Sequence, residues 1–276
     1  MIRWLTATIL LACLLIAASY AVWHYHAHRL PQHTVPTLPI TNLLSPPPDN
    51  IPDHVVAELL DHAGLPPSIP ADPQQQPAYL HPLLQALQAT PWVKAVRYQS
   101  QPSPHLEVQW TRIVPITFHT PHKKVLTQWW VNENTIALAE TTSLPPKSVL
   151  PIYVYNTEPP AFRAAKPIPA PWSRACLVAL FLDPYRAQLG LEALLIGHDP
   201  VTLDLRLRTK GGSIVLWEQL DSPNPHTSAD EIKLRRLLEY VHHWKSLELP
   251  TGPYLFDNRF PDSLLRQPLP SQSRDQ

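Results

Sequence analysis

Hydrophobic and polar positions change period several times along this chain, and each change marks an element. The run from Trp4 to Trp23 contains no charged residue. About 20 apolar residues, rising 1.5 Å each, cross the hydrocarbon core of a bilayer, so this run predicts a transmembrane helix. Trp4 at one end, and Tyr20 and Trp23 at the other, suit the headgroup level. Ser19-Tyr20-Ala21 also reads as a small-x-small cleavage site. The run exceeds the apolar core of a signal peptide, usually about 7–15 residues, which favours an uncleaved anchor over a cleaved leader. Either way the rest of the chain lies beyond the membrane. Arg3 before the helix and Arg29 after it give only a slight positive-inside lean. The very short N-terminal tail, residues 1–3, is the part expected to stay in the cytoplasm.

Prolines interrupt residues 24–48, which predict a semi-rigid spacer with one short strand near Val35 to Ile40. Ile51, Val55, Val56, Leu59 and Leu60 form one helical stripe after Pro52, and Gly64 is a stop. A proline-rich loop to Pro77 precedes a second helix, Ala78 to Ala89, with Leu80, Leu83, Leu84 and Leu87 on one face. The period then shortens to two. Trp92 to Gln99 predicts a strand, and Gln101-Pro102-Ser103-Pro104 turns the chain into Leu106, Val108 and Trp110, which alternate with polar residues.

Further strands are predicted at Ile116 to Phe118, Val125 to Val131, Thr135 to Leu138 and Pro151 to Tyr155. Asn132-Glu133-Asn134 is a turn, with Asn134 able to take positive φ. Ser173 to Leu189 predicts a helix with a break near Pro184. Ala193 to Ile196 and Val201 to Leu207 read as paired strands across Gly197-His198-Asp199-Pro200, and Lys210-Gly211-Gly212 turns into Ile214 to Trp217. Ser228-Ala229-Asp230-Glu231 has the form of a capping box. It opens a helix whose stripe is Leu234, Leu237, Leu238, Val241 and Trp244. Tyr254 to Phe260 predicts the last strand, and the polar tail after Pro261 is expected to fray.

Composition adds three constraints. Lys+Arg and Asp+Glu both number 22, so the basic excess of a nucleic-acid track is missing. Proline occurs 35 times against 6 glycines, which stiffens connectors and leaves little backbone suited to cradle a phosphate. Cys13 lies in the anchor and Cys176 in an apolar stretch, so neither a disulfide framework nor a cysteine-based zinc site is expected.

Catalytic motifs are missing as well: there is no G-x-S-x-G elbow, phosphate loop or H-E-x-x-H. His24, His26 and His28 would need an extended backbone to share a metal, and as polar residues following an anchor they need no ligand. The adjacent His242 and His243 point apart on a helix and read as surface, while Cys176 reads as a small core residue. Asp257 and Arg259 lie two apart on the last strand, so they share a face and can bind a partner or each other. His198, Asp199 and Asp204 are the side chains that could converge in a hydrolase.

The order of these elements resembles the FtsQ/DivIB family of bacterial cell-division proteins, its divergent planctomycete-like members most of all. The resemblance rests on Leu87-x-x-Thr90-Pro91-Trp92-Val93-x-x-Val96, on Leu106-Glu107-Val108 to Val114-Pro115-Ile116, and on Leu150-Pro151-Ile152. Leu207-x-Thr209-x-x-Gly212-x-Ile214-x-Leu216-Trp217, then Glu231-x-Lys233-x-x-x-Leu237, and finally Asp257-x-Arg259-Phe260 continue it. Arg112, Asn134 and Glu218 depart from the family pattern.

The resemblance implies an α+β chain in six parts: a cytoplasmic tail (1–3), a transmembrane helix (4–23), a spacer (24–48), a POTRA-like helix-helix-hairpin domain (49–115), a β-rich domain with a late helix and a terminal strand (116–260), and a flexible tail (261–276). It implies a non-enzymatic, single-pass scaffold of the cytoplasmic (inner) membrane, its bulk on the periplasmic side. Such a scaffold recruits other bitopic division proteins, FtsB- or FtsL-like, with no cofactor, metal, nucleic acid or small-molecule substrate. Partners would add to the terminal strand edge, which makes Tyr254, Leu255, Phe256, Asp257 and Arg259 the expected contacts. A POTRA-bearing periplasmic chaperone or transport accessory, or a membrane-anchored hydrolase, is the alternative.

Overall fold

The computed structural model describes residues 37–48, 51, 53–62, 68–72, 76–99, 105–120, 124–141, 148–197, 203–220, 229–260 and 262–269. The expected transmembrane helix, His24, His26, His28, Gly64, His198, Asp199 and Ser228 lie outside these residues. Among the described residues no helix is long and apolar enough to cross a membrane. The chain is a mixed α+β protein organised around a large sheet.

The N-terminal module holds strand β1 (Thr37–Pro39), a 3-10 turn (Ile40–Leu43), helix α1 (Asp53–His62), β2 (Ser68–Pro70), α2 (Gln76–Ala89), β3 (Val93–Gln99) and β4 (His105–Trp110). β1 pairs with β2, and β3 pairs antiparallel with β4. Leu44 bridges Leu106 in parallel, and Ser45 donates its N–H to the Leu106 carbonyl at 3.0 Å, so the first segment lies beside β4. The predicted stripe of α2 holds: Leu80, Leu83 and Leu87 are buried with Ile40, Leu43, Ile69, Leu106 and Val108. Pro82 sits inside α2 yet is exposed, so the helical bond it cannot donate is lost on the wet face, where water replaces it.

The larger sheet has ten strands. In chain order these are β5 (Ile113–His119), β6 (Val125–Asn132), β7 (Ile136–Glu140), β8 (Ile152–Val154), β9 (Lys166–Pro167), β10 (Leu191–Ile196), β11 (Asp204–Thr209), β12 (Ile214–Gln219), β13 (Tyr254–Asp257) and β14 (Leu265–Pro268). Their spatial order is β14-β13-β12-β11-β10-β8-β5-β6-β7-β9. Three further helices join them: α3 (Ala170–Leu182), the short α4 (Arg186–Leu189) and α5 (Asp230–Trp244). β5, β8 and β10 are mutually parallel, as are β12 and β13, and the other pairings are antiparallel. A parallel pair needs a crossover connection, and α5 supplies the one between β12 and β13.

One face of the sheet is covered by α3 and α5. Ile116 and Phe118 of β5, Leu205 and Leu207 of β11, Val215 and Trp217 of β12, and Tyr254 and Phe256 of β13 pack there with Cys176, Leu234 and Leu237. Cys176 is buried, as expected of a core residue. The opposite face receives the N-terminal module: Ile51, Val55 and Trp92 pack against Ile113, Trp130 and Leu138. Asn132 Nδ2 donates to the Pro91 carbonyl at 3.0 Å, and Lys94 pairs with Glu133 at 2.8 Å across the same junction.

Several expectations are corrected. The boundary expected at 115/116 falls inside β5, and the sheet starts at Ile113. The left-handed residue of the β6–β7 turn is Thr135 (φ 59°), not Asn134. The Asn132 carboxamide accepts from the N–H groups of Asn134 and Ile136 and holds that geometry. The N-cap of α5 is Ala229, one residue after the expected Ser228, and no side chain caps it, so the helix does not start on the expected capping box. The predicted break in the Ser173–Leu189 helix occurs as a 3-10 turn at Asp183–Tyr185. The tail expected to fray from residue 261 instead forms β14, paired antiparallel with β13.

Two carboxylates share one guanidinium above the sheet. Arg174 of α3 donates Nε and Nη2 to Glu218 Oε2 at 2.9 and 2.6 Å. It donates Nη1 and Nη2 to the two Asp230 oxygens, both at 2.8 Å. Burial alone would weaken its protonation, but the hydrogen bonds to Asp230 and Glu218 more than offset this and raise its pKa. Lys233, fully buried, donates to the Trp217 carbonyl at 2.9 Å, and burial pushes its pKa down. Arg174→Met strips Glu218 and Asp230 of their shared cation. The expected loss is about 3 kcal/mol, the low end for a buried pair because Arg174 keeps some exposure. It is read as a lowered urea midpoint, and an unchanged midpoint contradicts the role given to this cluster.

Candidate functional site

The C-terminal end of the sheet is where the expected contact residues fall. Alternation along β13 divides four of them between two faces, and Arg259, expected on the same strand, lies beyond its end at Asp257. Tyr254 and Phe256, 3% and 0% exposed, point into the core beneath α5. With β14 in place both rings are buried, and only Leu255, Asp257 and Arg259 retain exposure among the five. β13 is also not the terminal edge. Tyr254, Leu255, Phe256 and Asp257 pair with Pro268, Gln267, Arg266 and Leu265 of β14.

Asp257 and Arg259 bind each other. Arg259 donates Nη2 to Asp257 Oδ2 at 2.7 Å, and its Nε and backbone N–H donate to Oδ1 at 2.9 and 3.1 Å. Burial alone pushes the Asp257 carboxyl up, but these bonds outweigh it and hold the carboxyl below its ordinary value. Arg259 Nη1 also lies 3.8 Å from Asp204, which pairs with Arg206 at 3.2 Å. Asp204, expected in the hydrolase alternative, is thus engaged with arginines. Among the described residues no three His, Cys, Asp or Glu side chains gather as metal ligands do.

Sequence reasoning missed the groups that meet beside β13. Arg266 of β14 stands over three rings, with its guanidinium carbon 4.8 Å from the Tyr254 centroid, 5.8 Å from Tyr240 and 5.9 Å from Trp244. Its Nη1 donates to the Tyr240 hydroxyl at 2.8 Å. Trp244 was expected at the end of the core-facing stripe of α5, but its ring is left exposed at the helix end. The one sequence signal for β14 is the apolar pair Leu264-Leu265 interrupting a polar tail.

The same elements also carry exposed apolar side chains. Ile232 and Trp244 of α5, Leu249 of the following turn, and Phe260 and Leu265 beside or within β14 are all exposed. Arg236 Nη1 donates to the carbonyls of Phe260 and Ser263 at 2.7 and 3.0 Å and fixes the connection between β13 and β14. Compared with the known protein families and with curated protein sequences, the chain matches none.

The Asp257–Arg259 pair predicts a pH dependence. A carboxyl depressed in the folded state stabilises the fold above the unfolded carboxyl's pKa, about 3.9, and that contribution fades as pH falls through the lower folded value. Arg259→Ala is therefore expected to lower the urea midpoint at neutral pH, with the deficit shrinking below about pH 4. A deficit that stays constant into acid assigns the effect to packing instead.

Proposed function

We propose that this protein is a non-enzymatic, single-pass membrane scaffold for cell division or envelope assembly. It recruits other bitopic membrane proteins through its N-terminal module and through the C-terminal edge of its sheet. The observation that carries this reading is the edge itself. β14 ends the ten-stranded sheet with four exposed residues, amid exposed apolar side chains. An edge strand presents a row of backbone donors and acceptors, and an extended segment can add to it by strand pairing. Exposed apolar side chains beside such an edge supply burial area for a partner.

The resemblance to FtsQ/DivIB proteins and the apolar run at residues 4–23 supply the membrane and division parts of the reading. The N-terminal module packs on β5, β6 and β7, several strands from β14, so the sheet serves as a spacer that carries the recruiting strand away from the bilayer.

A fluorescent fusion of the full chain is expected to concentrate at mid-cell during constriction, and depletion is expected to yield filaments of undivided cells. The tagged chain, purified in detergent, is expected to retain single-pass membrane proteins. An even distribution round the cell throughout the cycle, with division intact after depletion, rules the proposal out.

A further inference from the structure

Strand β14 and the rings that hold Arg266 depend on each other unequally. The rings are positioned by groups outside β14. Tyr240 donates its hydroxyl to the Leu249 carbonyl at 2.7 Å. The Tyr254 hydroxyl accepts from the Thr251 N–H at 2.9 Å. Phe256 packs edge-on against both tyrosines, at 5.0 and 5.7 Å between centroids. Trp244 follows Tyr240 one turn along α5, 6.4 Å away.

β14, by contrast, is held by backbone, through its pairing with β13, the Leu269 N–H on the Pro253 carbonyl at 3.0 Å and Arg236 on the Ser263 carbonyl at 3.0 Å, while its own side chains bury little. All four of its residues are exposed. Pro268, paired with Tyr254, has no N–H to give the ladder. Arg266 is the β14 side chain seated against the body of the protein through rings and a hydroxyl. A short edge strand of this kind belongs to the low-stability end of a structure, open to local unfolding. The rings thus have anchors outside β14, whereas the strand's inward side chain, Arg266, rests on them.

We infer that Tyr240, Trp244 and Tyr254 form a cation-accepting cage for an extended segment of a partner protein, and that β14 occupies it in cis as a built-in competitor. The partner segment runs antiparallel to β13 and places an arginine or lysine opposite Phe256, on the face toward α5. Ring faces attract cations electrostatically, and Arg stacks on them with a planar guanidinium that also reaches the Tyr240 hydroxyl. The strand ladder supplies backbone bonds to any sequence, so the cage is what selects a basic segment among extended ones. Displacement of β14 couples recruitment to the release of this strand and sets a threshold that weakly basic or short segments fail to pass. This inference deepens the proposed scaffold role and rests on it for the C-terminal end of the sheet as a recruiting surface, but moves the pairing strand from β14 to β13.

The test uses the full chain in detergent, as wild type and as Arg266→Ala, with two fluorescent peptides. One reproduces residues 263–269; the other has alanine at its arginine. Arg266→Ala is expected to bind the arginine peptide at least tenfold more tightly than the wild type does. It is expected to bind the alanine peptide at least tenfold more weakly than the arginine peptide. Adding Trp244→Ala to Arg266→Ala is expected to abolish the preference for arginine, while hydrogen exchange confirms that β11 and β12 stay protected. Equal binding of the two peptides, or equal binding by the two chains, overturns the inference. So does dimerisation of Arg266→Ala in sedimentation, which assigns the edge to a second copy of this chain. If the peptides fail while the tagged chain still retains single-pass membrane proteins, the cage falls and the scaffold role stands. If the peptides bind as expected but no membrane protein is retained, the reverse holds.

Discussion

The arrangement at the C-terminal end depends on a guanidinium shared between two carboxylates. Arg174 stands on α3, Glu218 at the end of β12 and Asp230 in the first turn of α5. α3 is distant in the chain from β12 and α5, and the two helices cover the same face of the sheet to which β12 belongs. Charges this buried are costly unless paired and hydrogen-bonded, so the geometry admits little slack. Asp230 also accepts from the Trp217 indole N–H at 3.1 Å, and Lys233 reaches the Trp217 carbonyl. The start of α5 is thereby set against β12, and the far end of α5 follows as a rigid rod. That end carries Tyr240 and Trp244.

A second set of contacts makes the two modules act together. Trp92 and Trp130 pack at the junction with Ile51 and Val55, a large aromatic area excluded from water. Arg112, in the two-residue link between β4 and β5, donates Nη2 to the Leu180 carbonyl at 2.7 Å. Leu180 lies in the last turn of α3, where carbonyls have no intrahelical partner. The link between modules thus caps the helix that carries Arg174. Arg112 and Glu218 are two of the positions at which the sequence departs from the FtsQ/DivIB pattern, and both are absorbed into contacts between elements.

Much of the fold is legible in local pattern, because period and turn chemistry are properties of neighbouring residues. The stripes of α2 and α5, the β3–β4 hairpin, the β11–β12 hairpin about Lys210-Gly211-Gly212 and the break at Pro184 all follow from 3.6- or two-residue periodicity and from proline. β9 and β14 were not legible. They are two and four residues long, largely exposed, and exist because a sheet edge lies beside them.

The candidate site divides the same way. Sequence alone placed Tyr254, Leu255, Phe256 and Asp257 on one strand, since alternation needs only the order of residues; Arg259, expected on it too, lies beyond its end and meets Asp257 through a turn in which its N–H donates to the same carboxylate. It also supplied the balanced charge, the want of a catalytic motif and the apolar N-terminal run. Only the tertiary structure decided that Tyr254 and Phe256 turn inward, that β13 has an outer neighbour, and that Arg266 meets Tyr240, Trp244 and Tyr254. The reason is physical. These groups lie on two strands and a helix, and their meeting depends on how α5 crosses the sheet, which the order of residues alone does not state.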